Sequence, residues 1–184
     1  MSIATVFARA SLALDAPLVH VEVHISNGLP GFTIVGLAQN ALKEAKEWVR
    51  SAIIKSQFQW PTRLITINLA PAELPNGRGG FDLAIAIGIL VASKQLQGTD
   101  LAQYEFVGEL ALSGELRSIE GILPLAYVSG KSSRSLVVPR SAFQQIFMVV
   151  DLSIYGGDDL GGCPFKREEI IDENENHITC SSRK

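Results

Sequence analysis

The chain has 184 residues, of which 47% are hydrophobic and 19% charged, and this composition suits one globular domain with a full apolar core. No apolar run is long enough to span a membrane, and the N-terminus lacks the basic start and long apolar stretch of a secretory signal. Residues 1–150 carry 12 Lys or Arg and 11 Asp or Glu, whereas residues 151–184 carry 4 and 8, so the chain lacks the bulk basic charge of a dedicated nucleic-acid binder.

Cysteine usage is sparse and confined to the end of the chain, at Cys163 and Cys180. Without a signal peptide, reduced thiols and a cytoplasmic location are expected. The two cysteines and His177 together are one ligand short of a structural zinc site, so no metal is expected in this segment.

Two strands are predicted first, over residues 3–8 and 18–26. In the second, apolar residues at odd positions alternate with His20, Glu22 and His24, which is the period of a strand with one buried face. A His-Glu-His row can ligate a metal or serve acid–base chemistry. We favour a solvated sheet face instead, because the sequence supplies no fourth ligand and no nucleophile.

A turn over residues 27–31 leads to a strand at 32–35, which is expected to form a hairpin-like pair with the strand before it. Residues 38–56 have the apolar stripe of an amphipathic helix. Four basic residues of this helix lie largely off the stripe, and a fifth follows just beyond the helix: Lys43, Lys46, Arg50, Lys55 and then Arg63. Such a face can contact phosphates, although it is more often only solvated.

A strand over residues 65–69 is followed by a Gly-rich turn that contains Arg78. The turn could hold an anion or be only a tight corner, and it lacks the spacing of a phosphate-binding loop. From Asp82 the chain is apolar on nearly every helical face, which predicts a helix covered on all sides. Asp82 is expected to cap the first free N–H groups of this helix.

The remaining elements are a β-hairpin within residues 104–119, a helix at 123–131, a strand at 135–138 and one or two helical turns at 140–147. Beyond about residue 150 the chain is rich in Gly, Asp, Glu and Asn and has little periodicity, so an acidic, poorly ordered tail is expected. Strands and helices without strict alternation predict an α/β or α+β fold.

Several stretches carry a resemblance in the same order: VEVHISNGLPGFTIVGL, KEAKEWVRSAI, ITINLAPAELP, GGFDLAIAIGIL and YEFVGELALSGELRSIEG. Together they resemble the N-terminal domain of the magnesium-chelatase-like AAA+ ATPases over residues 3–138. The resemblance implies a non-catalytic Lon-protease-like domain of the ribosomal S5 domain 2-like fold at residues 1–147. The tail at 148–184 does not resemble the family, and a frameshift or truncation is one hypothesis for its origin.

Members of this family resemble ring-forming ATPases that drive branch migration of DNA during natural transformation and recombination. The resemblance therefore implies DNA as a partner, self-association into a ring and no membrane. ATP and Mg²⁺ belong to a central AAA+ module, and this chain contains no GxxxxGKS or GxxxxGKT sequence. No ATPase activity and no cofactor are expected of the chain itself.

Lon-type proteases use a Ser-Lys pair, and the resemblance places Asp82 at the serine position and Leu123 at the lysine position. Neither side chain can perform the corresponding role, so a peptidase is a remote alternative. The first expectation is a DNA-binding or ring-scaffold domain with phosphate contacts at Lys43, Lys46, Arg50, Lys55, Arg63 and Arg78. The second is an interaction domain that uses the hairpin at 104–119 and the sheet edges without touching DNA.

Overall fold

The computed structural model describes residues 2–11, 15–35, 39–71, 80–96, 101–146, 153–160 and 177–179. Strands β1 to β10 are Ser2–Arg9, Leu18–Ser26, Gly31–Val35, Leu64–Ala70, Tyr104–Phe106, Glu109–Leu110, Leu116–Arg117, Ser135–Pro139, Ser153–Gly157 and His177–Thr179. Helices α1 to α4 are Gln39–Lys55, Asp82–Ala92, Ile122–Ser129 and Phe143–Ile146. The predicted α/β class is confirmed.

One eight-stranded mixed sheet organises the molecule, in the order β10-β9-β8-β5-β1-β2-β4-β3. The pairs β1–β2, β2–β4 and β9–β10 are antiparallel. The pairs β1–β5, β3–β4, β5–β8 and β8–β9 are parallel. Strands β6 and β7 form a separate antiparallel hairpin.

Strand β2 lies inside the sheet and shows the predicted alternation. Its odd-numbered residues from Val19 to Ile25 are buried, while His20 and Glu22 are exposed and His24 is half-buried. Because neighbouring strands pair in register, β1 and β4 repeat this pattern, and one face of the sheet is apolar. We call this apolar face the inner face and the opposite one the outer face.

Helix α2 covers the inner face, and its burial explains its apolar composition. Ten of its eleven residues are buried, because the sheet lies on one side of the helix and α1 on the other. Helix α1 contributes the stripe Ala45, Val49, Ala52 and Ile53 to the same core cluster. The predictions of an amphipathic α1 and a fully covered α2 are confirmed.

The outer face is covered at one end only. Helices α3 and α4 pack there in a second apolar cluster, which includes Leu136 and Val138 of β8. The outer face of β1, β2, β4 and β3 carries mainly exposed or half-buried side chains, among them Thr5, Thr33 and Asn68. The sheet therefore has one fully covered face and one face that is covered only over part of its width.

One predicted pairing is wrong. Strand β3 pairs in parallel with β4 and not with β2, because α1 forms a crossover between β3 and β4 and β4 pairs with β2. The hairpin predicted within residues 104–119 is confirmed, but it is shorter than expected. Residues 104–106 form β5 in the main sheet, so only Glu109–Leu110 and Leu116–Arg117 pair as a hairpin.

Strand β9 was not predicted, since it lies in the segment expected to be an unstructured tail. It pairs in parallel with β8, from Leu136 opposite Ile154 to Pro139 opposite Gly157, and β10 pairs with its other side. Most of residues 148–184 lie outside the described residues, so the predicted disorder of that part stays a prediction. In the part of the chain that is described, no helix is long and apolar enough to cross a membrane.

Gly88 allows the close approach of α2 to the sheet and gives a test of this packing. A Cβ atom at Gly88 would lie 2.6 Å from Val23 Cγ2. Valine is β-branched and has little rotamer freedom, so it cannot move aside. We expect Gly88→Ala to lower the free energy of unfolding by about 1–2 kcal/mol in urea titrations, although Ala normally favours a helix by about 1 kcal/mol.

Gly31→Ala is the matched control. Its Cβ would meet Leu64 Cδ1 at 2.8 Å, but this atom is the end of a half-buried, flexible side chain at the sheet edge. Its effect should be smaller than that of Gly88→Ala. A Gly88→Ala variant as stable as the wild type would show that α2 does not approach β2 this closely.

Candidate nucleic-acid interface

The basic residues predicted on and near α1 do not share one surface. A helix turns by about 100° per residue, so Lys46 and Arg50 lie about 40° apart, whereas Lys55 lies about 180° from Lys46. Arg50 and Lys55 are exposed and Lys46 is half-buried at the border of the apolar stripe. The helix therefore presents a Lys46–Arg50 side and a separate Lys55 side.

Lys55 lies beside an acidic cleft. A cavity of about 250 Å³ is lined by Lys55, Ser56, Ser113, Gly114, Glu115, Asp158 and Asp159. The turn before β7 approaches α1 closely here, since Ser51 Oγ donates a hydrogen bond to the carbonyl of Leu112 at 2.8 Å. Three carboxylates line this cleft with Lys55, and two of them, Glu115 and Asp158, also pair with Arg117 at 3.1 Å and Arg140 at 3.6 Å. The carboxylates beside Lys55 offset the positive charge that a phosphate would meet on this side of α1.

The other predicted contacts are dispersed. Arg63 is exposed immediately before β4, and its carbonyl accepts the N–H of Gly31 at 3.3 Å. Lys43 belongs to α1, but its side chain lies outside the described residues, as does the whole of Arg78 in the Gly-rich turn. Lys46 and Arg50 are thus the predicted pair that the structure brings together on one side of one helix.

Asp82 does not cap α2 as predicted. Phe81 is the N-cap residue, Asp82 is the first residue within the helix, and its Oδ2 atom accepts the N–H of Leu110 at 3.2 Å. The residue before β6 already makes hydrogen bonds at the start of α2. Gly108 N–H donates to the carbonyl of Gly80, and Leu83 N–H donates to the carbonyl of Gly108, so the chain that enters β6 crosses the start of α2.

The pKa of Asp82 is raised to about 7, mainly because the carboxyl group is buried; the hydrogen bond from Leu110 opposes this rise and the charge of Glu109 adds to it. The side chain is only 7% exposed. Leu123, which the resemblance predicts at the position of the Lon lysine, packs against the second apolar cluster, whereas α2 belongs to the first. The two positions thus provide a buried carboxyl group and an apolar side chain.

The His-Glu-His row lies on the outer face as predicted. His20 and His24 are about 13 Å apart along the strand, too far to bind one ion together. Glu22 accepts a hydrogen bond from the Asn68 side-chain amide at 3.0 Å. Within the described residues, no group of three or more His, Cys, Asp or Glu is placed to hold a metal.

Sequence reasoning missed a buried polar cluster next to this row. Arg9 Nε and Nη2 contact the two carboxylate oxygens of Glu105 at 2.5 and 2.9 Å. Ser129 donates to the same carboxylate at 2.7 Å, and Arg134 Nη1 lies 3.9 Å from it. A signal was available for Arg9 alone, as a charged residue that ends an otherwise regular strand.

Comparisons with known proteins give a consistent result. The family model described as subunit ChlI of Mg-chelatase matches residues 21–142. Competence protein ComM of Haemophilus influenzae is 50% identical over 155 residues, which cover 84% of this chain and 30% of ComM. YifB of Escherichia coli, an uncharacterized protein, is 48% identical over 149 residues, which cover 81% of this chain and 29% of YifB.

An uncharacterized protein of Mycobacterium tuberculosis is 32% identical over 162 residues, which cover 88% of this chain and 32% of the relative. The chain spans about a third of the length of these curated relatives. An alignment of 162 residues is longer than the 147 residues expected to resemble the family, so the similarity reaches into residues 148–184.

The buried carboxyl group of Asp82 predicts a specific pH dependence of stability. Its pKa is about 7 in the folded chain, whereas the ordinary value of an aspartate side chain is 3.8. Between these two pH values the folded state binds more protons than the unfolded state. The contribution of Asp82 to the free energy of unfolding therefore falls as pH rises from about 4 to 7. The total fall corresponds to roughly 4 kcal/mol, at 1.36 kcal/mol for each pKa unit.

We expect Asp82→Asn to remove this fall, since an amide oxygen can accept the Leu110 N–H without ionising. Urea titrations at several pH values should show the variant gaining stability relative to the wild type as pH rises through about 4 to 7. Asp158→Asn, on a carboxylate side chain that is 78% exposed, is the control and should show no such trend. Parallel profiles for Asp82→Asn and the wild type would mean that Asp82 is ionised in the folded chain.

Proposed function

This chain belongs to the family of the ChlI subunit of magnesium chelatase, and from that membership we propose that it is the non-catalytic N-terminal domain of a ComM-type AAA+ DNA branch-migration helicase. In this proposal the domain binds DNA or scaffolds a ring in the cytoplasm, while a separate AAA+ module uses ATP and Mg²⁺. We also propose a Lon-protease-like arrangement of the ribosomal S5 domain 2-like fold. Because β9 pairs with β8, we extend the proposed domain from residue 147 to at least Gly157.

The observation that carries the DNA-binding role is the Lys46–Arg50 side of α1. Arg50 follows Lys46 by about one helical turn, and both residues lie away from the acidic cleft beside Lys55. Cations at this spacing suit successive phosphates, and their contribution does not depend on base sequence. One domain has few such contacts, so a ring would raise the affinity through multivalency.

A second role, as an interaction domain, is supported by exposed apolar residues and by the sheet edge. Val35 on the edge strand β3 is 51% exposed, Ile54 on α1 is 51% exposed and Leu112 before β7 is 58% exposed. Edge strands and scattered apolar side chains suit contacts between copies of a chain. In this role the DNA would be bound by other parts of the full-length protein.

A peptidase stays the remote alternative. Its nucleophile position holds Asp82, whose carboxyl group is buried and already accepts a hydrogen bond from Leu110. A carboxyl group in this setting cannot act as the activated hydroxyl of a Ser-Lys pair.

The DNA-binding role predicts that charge reversal at two positions of one helix will have unequal effects. We expect Lys46→Glu to weaken binding of a fluorescein-labelled duplex about fivefold or more, because a phosphate contact contributes about 1 kcal/mol. The slope of log affinity against log salt should fall by about 1. Fluorescence anisotropy at two salt concentrations measures both quantities, with a duplex, a single strand and a four-way junction as ligands.

Lys55→Glu is the matched control, since it makes the same substitution on the same helix but beside the acidic cleft. It should change the affinity less than twofold. Equal affinities for Lys46→Glu, Lys55→Glu and the wild type would remove α1 from the interface and favour the interaction role. Sedimentation of the same samples would then report self-association directly.

A further inference from the structure

The outer face of the sheet has a step where the helical cover ends. Register places Phe7 of β1 between His20 of β2 on one side and Glu105 of β5 on the other. Glu105 lies under the end of α3 and is fully buried, whereas His20 is exposed. Phe7 therefore lies at the border between the covered and uncovered parts of this face, with the loop after α3 as a wall beside it.

Aromatic and cationic groups are stacked at this step. The Arg134 guanidinium lies over the Phe7 ring, 4.4 Å from its centroid, and His20 meets the edge of the same ring with centroids 5.0 Å apart. Nearby in the chain, Lys131 Nζ lies 4.2 Å from the centroid of the Tyr127 ring, and Tyr127 is 52% exposed. We call Phe7, His20 and Arg134 the stacking cluster.

Arg9, Arg134 and Glu105, at and beside the stacking cluster, carry a surplus positive charge. Arg9 donates hydrogen bonds to both carboxylate oxygens of Glu105, at 2.5 and 2.9 Å, so this carboxylate already has a charged partner. Arg134 stands farther off, at 3.9 Å, and its Nε atom donates to the carbonyl of Ala102 at 2.9 Å. Two arginines around one carboxylate leave a net charge of one, and the orientation of the Arg134 plane is fixed by its own hydrogen bond.

We propose that the stacking cluster is a binding site for an unpaired base of single-stranded DNA, with the adjacent phosphate near Arg134 and Lys131. Guanidinium planes and aromatic or imidazole rings are the groups on which unpaired bases stack. A duplex cannot use the site, because its bases are stacked on each other. The inference rests on the proposed DNA role, but it concerns the outer face, whereas α1 packs on the inner side.

The carboxylate of Glu22 limits where the backbone of a bound DNA strand can lie. Glu22 is exposed on the outer face two residues from His20, and its side chain accepts a hydrogen bond from the Asn68 side-chain amide. A phosphate placed there would be repelled, so the DNA backbone should follow the wall that carries Arg134 and Lys131. His24, two residues further along β2, lies beyond this carboxylate and outside the site.

The test uses anisotropy of the whole chain with a fluorescein-labelled oligothymidylate of about 12 nucleotides and with a duplex of the same length. His20→Ala removes an exposed ring, and Arg134→Lys keeps the charge but removes the planar group. Each should weaken single-strand binding about fivefold or more and duplex binding less than twofold, since one stacked base contributes about that factor at least.

Two further variants sharpen the result. His24→Ala, the same substitution on the same strand face, should leave both affinities unchanged. Glu22→Gln keeps an acceptor for Asn68 and removes the charge, so it should tighten single-strand binding. Circular dichroism of every variant verifies the fold, and His20→Ala changes an exposed side chain, so it reports on the site even where Arg134→Lys alters the wall.

The outcomes separate this inference from the proposed function. Single-strand affinity that is unchanged in His20→Ala and in Arg134→Lys overturns the stacking site, and so does an equal loss for single strand and duplex. If Lys46→Glu weakens duplex binding at the same time, the DNA role of α1 stands without the stacking site. If single-strand binding needs His20 but not Lys46, the stacking site stands and the α1 interface does not.

Discussion

The buried ion pair between Arg9 and Glu105 holds the two halves of the sheet together. It joins Arg9 at the end of β1 to Glu105 in β5, 96 residues later in the sequence, at a point where Glu105 is fully buried. Two buried charges lose their hydration, and only close geometry with further donors offsets that cost. Here Arg9 supplies two contacts, Ser129 and Ser132 donate to the same carboxylate, and Arg9 also donates to the carbonyl of Ala16.

This constraint fixes the elements that follow in the chain. Because Ser129 ends α3 and Ser132 lies in the loop after it, their bonds to Glu105 anchor that loop to the sheet. The loop then places Arg134 over Phe7 at the border of the helical cover. The wall of the stacking cluster is therefore set by a buried polar cluster and does not depend on apolar packing alone.

The sequence predicted local elements well and their partners poorly. The spacing of hydrophobic residues predicts the bounds of β2, α1 and α2 to within one or two residues, because β2 and α1 each bury one face and α2 is buried on all sides. The period of a strand does not identify its neighbour, so adjacency in sequence predicts β3 beside β2, whereas β3 pairs with β4. Strand β9 has the glycines Gly156 and Gly157 and lies in an acidic context, so local composition hid a strand that is made by pairing with β8.

The same limit applies to the candidate site. Helical spacing alone places Lys46 and Arg50 on one side of α1. Nothing local shows that Lys55 lines the same cavity as Asp158 and Asp159, which follow more than a hundred residues later. The stacking cluster likewise comes from β1, β2 and the loop after α3. Such sites depend on register and on a crossover, which are tertiary facts.

The two proposed surfaces would divide the work of recognising branched DNA. Phosphates are present on paired and unpaired strands alike, so the proposed Lys46–Arg50 side would add affinity without distinguishing them. Base faces are accessible only on unpaired strands, so the stacking cluster would distinguish a displaced strand from a duplex. Because α1 packs on the inner side of the sheet and the cluster lies on the outer face, neither surface blocks the other. A junction, which offers a duplex and an exchanging strand together, is the DNA form on which both could act at once.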